Sequence, residues 1–244
     1  MLAGIREILI ITTARDQSAF RELLGDGQEF GVEFQYAIQP QPKGIAQAFV
    51  IGEQFLNGDN CMLVLGDNIF HGKGLGQDLA LSFSGAGAHI FTYEVSNPSD
   101  YGVLEIDHNK TPISITEKPK NFISNSAITG LYKFDSQVSD IARGVKPSSR
   151  GEFEITSVLE SYLNSKTLTY TELSRGSAWL DTGNPNSLND AANYVRIIEE
   201  RTGLKIGCLE EISLRNSWID LDDLARIANK LGKNSYSDYL RTLV

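Results

Sequence analysis

Cys61-Met62-Leu63-Val64-Leu65-Gly66-Asp67-Asn68 decides the fold class of this chain: five apolar residues run without a break into a glycine and an acid. A short apolar run stopped in this way reads as a strand whose carboxyl end opens into a loop. Upstream, Glu7-Ile8-Leu9-Ile10-Ile11-Thr12-Thr13 has the same continuous character and predicts a strand buried on both faces. Val32 to Ile38 predicts another. Between the strands, Gln17 to Leu24 predicts a short helix stopped by Gly25. Gly44 to Leu56 predicts a second, with Ile45, Ala48, Phe49, Gly52 and Phe55 at helical spacing and Asn57-Gly58 as its stop. This β-α-β-α-β rhythm argues for a parallel sheet covered by helices, with right-handed crossovers.

Further along, Gly74 to Phe83 predicts a helix. His89 to Val95, Gly102 to Ile106, Ile113 to Glu117 and Ala127 to Phe134 then read as successive strands, which fits a mixed sheet with an inserted antiparallel portion. Glu152 to Leu163 and Asn186 to Thr202 are helical, and the chain is helical again from Trp218. The expectation is one α/β domain over 1–202 with a mixed, mainly parallel sheet, followed by a helical appendage over 203–244. In open α/β sheets ligands sit beyond the carboxyl ends of the strands, which directs attention to the loops after Ile38, Leu65 and Leu180.

The chain has 244 residues, 41% hydrophobic and 22% charged, an ordinary balance for a globular protein. Its 22 Lys+Arg against 31 Asp+Glu give a net charge of −9. That argues against nucleic acid as a partner, because duplex binding needs a basic stripe to displace counterions. Cys61 and Cys208 stand far apart beside apolar residues, which predicts two reduced, buried thiols. The first residues are broken by charge too early for a signal peptide, and no run approaches a membrane span. The reading is a cytoplasmic protein with no membrane partner.

Five constellations could carry chemistry. Gln39-Pro40-Gln41-Pro42-Lys43-Gly44 leads into a helix: Gly44 permits close approach of a ligand, and the Gln39 amide can both donate and accept at a base edge. The same residues also suit a proline-stiffened turn. Asp67, at a strand end, is placed to hold Mg²⁺ against a nucleotide phosphate, or to form an Asx-turn. Trp179-Leu180-Asp181-Thr182-Gly183 repeats the apolar-strand-then-acid pattern, and two strand-end acids on one sheet edge suit a divalent cation. Lys118, before Pro119, is a candidate point charge for a phosphate or half of an exposed Lys–Glu pair. Glu152, at a predicted helix start, can accept from sugar hydroxyls or complement the helix dipole.

In combination and order these segments resemble the glucose-1-phosphate thymidylyltransferases of the nucleotide-sugar pyrophosphorylase family. The likeness spans the chain: Gln39-Pro40 with Gly44 to Ala48, Leu65-Gly66-Asp67-Asn68-Ile69-Phe70, Tyr101-Gly102-Val103, Glu117-Lys118-Pro119, Thr129-Gly130-Leu131-Tyr132, Arg150-Gly151-Glu152 and Trp179 to Gly183. The tail from Gly203 to Ile219 is similar to the thymidylyltransferase branch. The resemblance implies a Rossmann-like α/β fold in which Gln39 and Gly44 read thymine, with Leu65 and Asp67 also on the nucleotide. It implies that Asp67 and Asp181 hold Mg²⁺ and that Lys118 binds the sugar phosphate. Gly102, Glu117 and Glu152 would meet glucose hydroxyls, with Tyr101 and Trp179 lining the site. Lys118, Asp67 and Asp181 are then the catalytic set, dTTP and glucose 1-phosphate the substrates, and a homotetramer in dTDP-rhamnose synthesis the setting. Sister enzymes using another nucleotide, a non-catalytic sugar-nucleotide binder and a glycosyltransferase of similar fold are the alternatives.

The pattern departs at the start. Family members open with a strand and a glycine-rich Gly-Gly-x-Gly-Thr-Arg-type loop, whereas Met1-Leu2-Ala3-Gly4-Ile5 matches partway along an internal helix. The expectation is a fragment that lacks a central strand, exposes an apolar strand edge and turns over poorly.

Overall fold

β-Branched and apolar runs become strands here wherever a partner strand lies alongside, and the partner decides which of them are buried. The computed structural model describes residues 1–81 and 85–244. In chain order the elements are β1 (Glu7–Thr12), α1 (Gln17–Leu24), β2 (Glu33–Ile38), α2 (Gln47–Ile51), α3 (Glu53–Leu56), β3 (Cys61–Val64), β4 (Asn68–His71), α4 (Leu75–Leu81), β5 (Ala88–Glu94), β6 (Gly102–Ile106), β7 (Pro112–Glu117) and β8 (Ser126–Phe134). There follow α5 (Val138–Gly144), α6 (Ile155–Asn164), β9 (Leu168–Glu172), β10 (Ala178–Asp181), α7 (Pro185–Thr202), α8 (Leu209–Arg215), α9 (Leu221–Lys230) and α10 (Ser235–Arg241). They fall into two units. One holds Met1–Ile38, Leu75–Ala80 and Gly183–Val244, and the other Gln39–Gly74 and Leu81–Thr182. Among the described residues no helix is long and apolar enough to cross a membrane.

The second unit is built on a mixed sheet of order β7-β6-β8-β5-β9, with β3 also pairing β8 and a separate β10–β4 ribbon. Alternate residues of these strands turn to one face. Ile90, Leu104, Ile115, Ile128, Tyr132 and Phe134 pack there with Phe49, Val138, Ile155, Val158, Leu159 and Tyr162 from the helices. Phe134 is fully buried at the centre, its ring 5.0 Å from Phe49 and 5.8 Å from Tyr162. The Tyr162 hydroxyl donates to Asp135 Oδ1 at 2.8 Å, and Gly87 N donates to Asp135 Oδ2 at 2.7 Å, so this buried acid is satisfied. His89 lies between Thr169 and Thr171 at 2.8 and 3.0 Å, and burial lowers its pKa to about 4, which leaves it neutral at physiological pH.

In the first unit β1 and β2 pair in parallel, from Glu7 opposite Glu33 to Thr12 opposite Ile38. The C-terminal helices form their own core, in which Leu224, Ile227 and Ala228 of α9 meet Tyr239, Leu240 and Cys208. Capping boxes at Asp220 and Asn234 start α9 and α10. The Tyr236 and Tyr239 hydroxyls donate to the buried carboxylates of Glu210 and Glu211. Trp218 is held under the Arg6 guanidinium, 5.6 Å from the ring centre.

The mixed α/β architecture is the one expected, with four local differences. The pairing is not mainly parallel: only β1–β2 and β5–β9 are parallel, and five other pairs among the described residues are antiparallel. Strands joined by short turns, as β6–β7 are, have no crossover helix to make them parallel. β1 is not buried on both faces: Glu7 is exposed and the other five residues are only half-buried. A two-stranded ribbon covers less of it than a broad sheet would. The helix predicted over Gly44 to Leu56 starts at Gln47 and divides at Gly52. The helix predicted over Gly74 to Phe83 is observed as α4, with Ser82 and Phe83 outside the described residues. Both cysteines are free and Cys208 is buried, but Cys61 is only half-buried, its thiol pushed up to about 12 by burial and by the Asp135 charge.

Candidate functional site

The carboxyl end of β3 is where the chain turns into chemistry. Leu65 N still donates to Gly130 O at 2.9 Å, so the strand stays registered on β8 up to Gly66. The chain then folds back into β4, which pairs antiparallel with β10 and sets Asn68 opposite Asp181. Thr182 N and Oγ1 each donate to Asp67 O at 2.8 Å and lock the two segments together. Asp67, in the turn just before β4, and Asp181, the last residue of β10, are thereby brought to one end of this ribbon.

Both acids line a cavity of about 270 Å³. Seven other residues predicted for the site line it too: Leu65, Tyr101, Gly102, Glu117, Lys118, Glu152 and Trp179. Gly102 and Glu117 are paired across β6–β7, and a Cβ at Gly102 would lie 3.3 Å from Glu117 Oε2, so the missing side chain keeps this corner open. Burial raises the pKa of Glu117, and the like charge of Glu154 adds to it, against the opposing pull of Arg150 and Lys118. Lys118 takes a left-handed backbone (φ 44°) with its N–H donating to Tyr101 O at 3.0 Å, an uncommon conformation for a residue with a Cβ. The aromatic wall is Trp179, with Tyr101 at 5.0 Å and Tyr93 at 6.0 Å between ring centres.

Gln39 and Gly44 are the predicted residues that do not line the cavity; their neighbour Ile45 does. Gln39 Nε2 donates to Gly44 O at 3.3 Å and to Gln47 Oε1 at 3.0 Å. Gly44 has φ 105°, and a Cβ there would meet Phe153 O at 2.4 Å. Its close approach is therefore to the protein's own backbone: Phe153 N donates to Lys43 O at 2.7 Å and Ala46 N to Phe153 O at 3.1 Å. This joins the Gln39–Gly44 loop to the segment carrying Arg150 and Glu152. Glu152 is not a first-turn residue, because α6 begins only at Ile155 with Glu154 as its N-cap.

Arg150 lines the cavity as well, although its Arg-Gly-Glu motif assigns it no role. Its Nη2 contacts Glu117 at 3.3 Å, Glu152 at 3.4 Å and Glu154 at 2.9 Å. Glu154, buried and also accepting from Ser148 Oγ at 2.7 Å, grips the guanidinium with both oxygens. The i,i+4 spacing of Arg150 and Glu154 was a visible signal; the contact to Glu117, 33 positions away, was not. Asn68 was likewise passed over, as its tie to Trp179 crosses 111 positions.

Asp67, Asp100, Glu117, Glu152, Glu154 and Asp181 line this cavity together with Lys118 and Arg150. Six acids against two bases repel an anionic ligand unless a further cation enters with it. Among the described residues no group of three or more His, Cys, Asp or Glu could hold a metal ion. Two carboxylates on one strand edge suit a hard cation that keeps its waters and takes its remaining ligands from phosphate, as Mg²⁺ does.

A strand-end acid pair, two basic side chains and an acid-and-aromatic wall share this one cavity. The chain belongs to the nucleotidyl transferase family, whose model matches residues 1–196. Within that family it is similar to glucose-1-phosphate thymidylyltransferases. It is 51% identical to that of Mycolicibacterium smegmatis over 244 residues, which is 100% of this chain and 85% of the relative. It is 46% identical to that of Neisseria meningitidis serogroup A over 245 residues, again 100% and 85%. A crystal structure of a Bacillus anthracis protein assigned as a glucose-1-phosphate thymidylyltransferase, in complex with sucrose, superposes with a TM-score of 0.74 at 36% identity, over 86% of this chain and 81% of that one. UDP-glucose pyrophosphorylase with UDP-glucose gives 0.70 at 21% identity over 81% and 83%, a likeness of fold.

Proposed function

We propose that this chain transfers the dTMP moiety of dTTP to glucose 1-phosphate, giving dTDP-glucose and pyrophosphate. The observation that carries the reading is the convergence in one cavity of Asp67 and Asp181 with Lys118, Arg150, Glu117 and Glu152. Glu117, Glu152 and the open corner at Gly102 take the sugar hydroxyls, with Trp179 and Tyr101 against the ring. Lys118 and Arg150 hold the sugar phosphate, one as a point charge and one as a planar fork. Leu65 and Asp67 face the nucleotide, and the thymine is assigned to Gln39 and Gly44, which lie outside the cavity lining beside Ile45. Asp67 and Asp181 would hold Mg²⁺, which would supply charge neutralisation of the phosphate oxygens.

A phosphate oxygen of glucose 1-phosphate, already ionised, attacks the α-phosphorus of dTTP. The new P–O bond forms as the bond to the bridging α–β oxygen breaks, and pyrophosphate departs with that electron pair. No proton has to move, so the protein's part is to align the two reactants and offset their charge. We assign this chemistry to the 1–202 portion, treat 203–244 as an appendage, and place the protein in the cytoplasm as a homotetramer supplying dTDP-rhamnose for surface polysaccharide.

Pyrophosphate release with glucose 1-phosphate and Mg²⁺, under competition among dTTP, UTP, CTP, GTP and ATP, tests the reading. The expected result is release that depends on the sugar phosphate, with dTTP giving the highest kcat/KM. Another nucleotide preferred tenfold or more, or release indifferent to the sugar phosphate, would overturn it.

A further inference from the structure

One side-chain amide stands at the junction of the acid pair and the aromatic wall. Asn68 Oδ1 accepts from the Trp179 indole Nε1 at 2.6 Å and from Gly130 N at 3.1 Å. Two N–H donors on one atom fix which end of the amide is oxygen, so the NH₂ end faces the other way. There Nδ2 donates to Asp67 Oδ1 at 2.8 Å. The approach is close enough to exclude any side chain at position 130, where a Cβ would lie 2.5 Å from Asn68 Oδ1 and 2.9 Å from Leu65 Cβ. Trp179, in turn, is buried and braced by Tyr93 and Tyr101.

We infer that Asn68 is a positioning residue that holds the Asp67 carboxylate for its cation and the Trp179 ring for the sugar through the two ends of one amide. Donation to Oδ1 fixes the rotamer of Asp67 and leaves Oδ2 to face a ligand. Acceptance from Nε1 fixes the tilt of the indole. The inference rests on the proposed function for what Asp67 and Trp179 hold, and on the geometry alone for the tie between them.

The test uses the full chain carrying Trp218→Phe, so that Trp179 is the one remaining indole of the two in the sequence. Asn68→Leu removes both ends of the amide, whereas Asn68→Asp keeps the acceptor for Trp179 and removes the donor to Asp67. Mn²⁺ is titrated and its free concentration read by electron paramagnetic resonance; Trp179 emission is read without metal. The expected result is a Trp179 emission maximum displaced by Asn68→Leu and unchanged by Asn68→Asp. Loss of an outer-shell hydrogen bond should weaken Mn²⁺ binding by Asn68→Leu about tenfold. A general loosening of the fold would move both readings in both variants. Equal emission in the two variants, or a Mn²⁺ Kd for Asn68→Leu within twofold of the parent, would overturn the inference. Should Asn68→Leu fail to fold, a displaced emission maximum in Asn68→Asp overturns it by itself. A parent that binds no Mn²⁺ contradicts the cation assignment, and the emission pair still decides the tie.

Discussion

Asp67→Asn is expected to lower kcat/KM for pyrophosphate release about 10³-fold, a loss of about 4 kcal/mol of transition-state stabilisation. The substitution is isosteric, and its Oδ1 can still accept from Asn68 Nδ2, so the local hydrogen bond at 2.8 Å survives. What disappears is one of the two carboxylates proposed to hold the cation, and among the described residues no group of three or more His, Cys, Asp or Glu could hold a metal ion in its place. The cation would be held less firmly, and the two anionic reactants would meet with less of their charge offset. Asp67 is exposed, so thermal stability should change little, which separates this effect from unfolding. A loss smaller than tenfold at saturating Mg²⁺ would remove Asp67 from the catalytic set.

Phe134→Ala is expected to cost about 3–5 kcal/mol of stability, the range for emptying a large buried aromatic site. For a chain of this size that is a fall in Tm of roughly 6–20 °C. Phe134 is fully buried where β8, α2 and α6 meet, with Phe49, Tyr132 and Tyr162 as ring neighbours. These elements cannot collapse into the void without shifting β8, the strand on which β3, β5 and β6 all pair. Since β3 delivers Asp67, the variant should lose activity at temperatures where the parent is still folded. Urea unfolding followed by circular dichroism measures the effect, and a cost below about 1 kcal/mol would contradict this account of the core.

The parts of this architecture that were legible in the sequence have a periodic signature or a sharp stop. β6 and β8 are legible to within a residue of their ends, because each carries apolar residues (Val103, Leu104 and Ile106; Ile128, Leu131, Tyr132 and Phe134) and stops at an acid, Asp107 or Asp135. Asp67 and Asp181 stood out because each ends an apolar run, and the structure brings them to one edge. β4 is only four residues, too short for any period to show. α5 and α8, at seven residues, are helical mainly through the packing of Val138, Ala142 and Ser213. Gly44 was legible as a glycine under constraint, but the group approaching it, Phe153, was not. The Arg150 cluster and the Asn68 amide were hidden for one reason: each joins segments that only the folded sheet makes neighbours.

The central claim is that the cavity bounded by Asp67, Lys118, Arg150 and Trp179 is a site for a nucleoside diphosphate sugar and its cation. Calorimetric titration of dTDP-glucose into the protein, with and without Mg²⁺, tests it without requiring turnover. The account predicts one site per chain, with affinity raised by Mg²⁺ in the parent and indifferent to Mg²⁺ in Asp67→Asn. Absence of binding, or binding whose response to Mg²⁺ is the same in parent and variant, would contradict it.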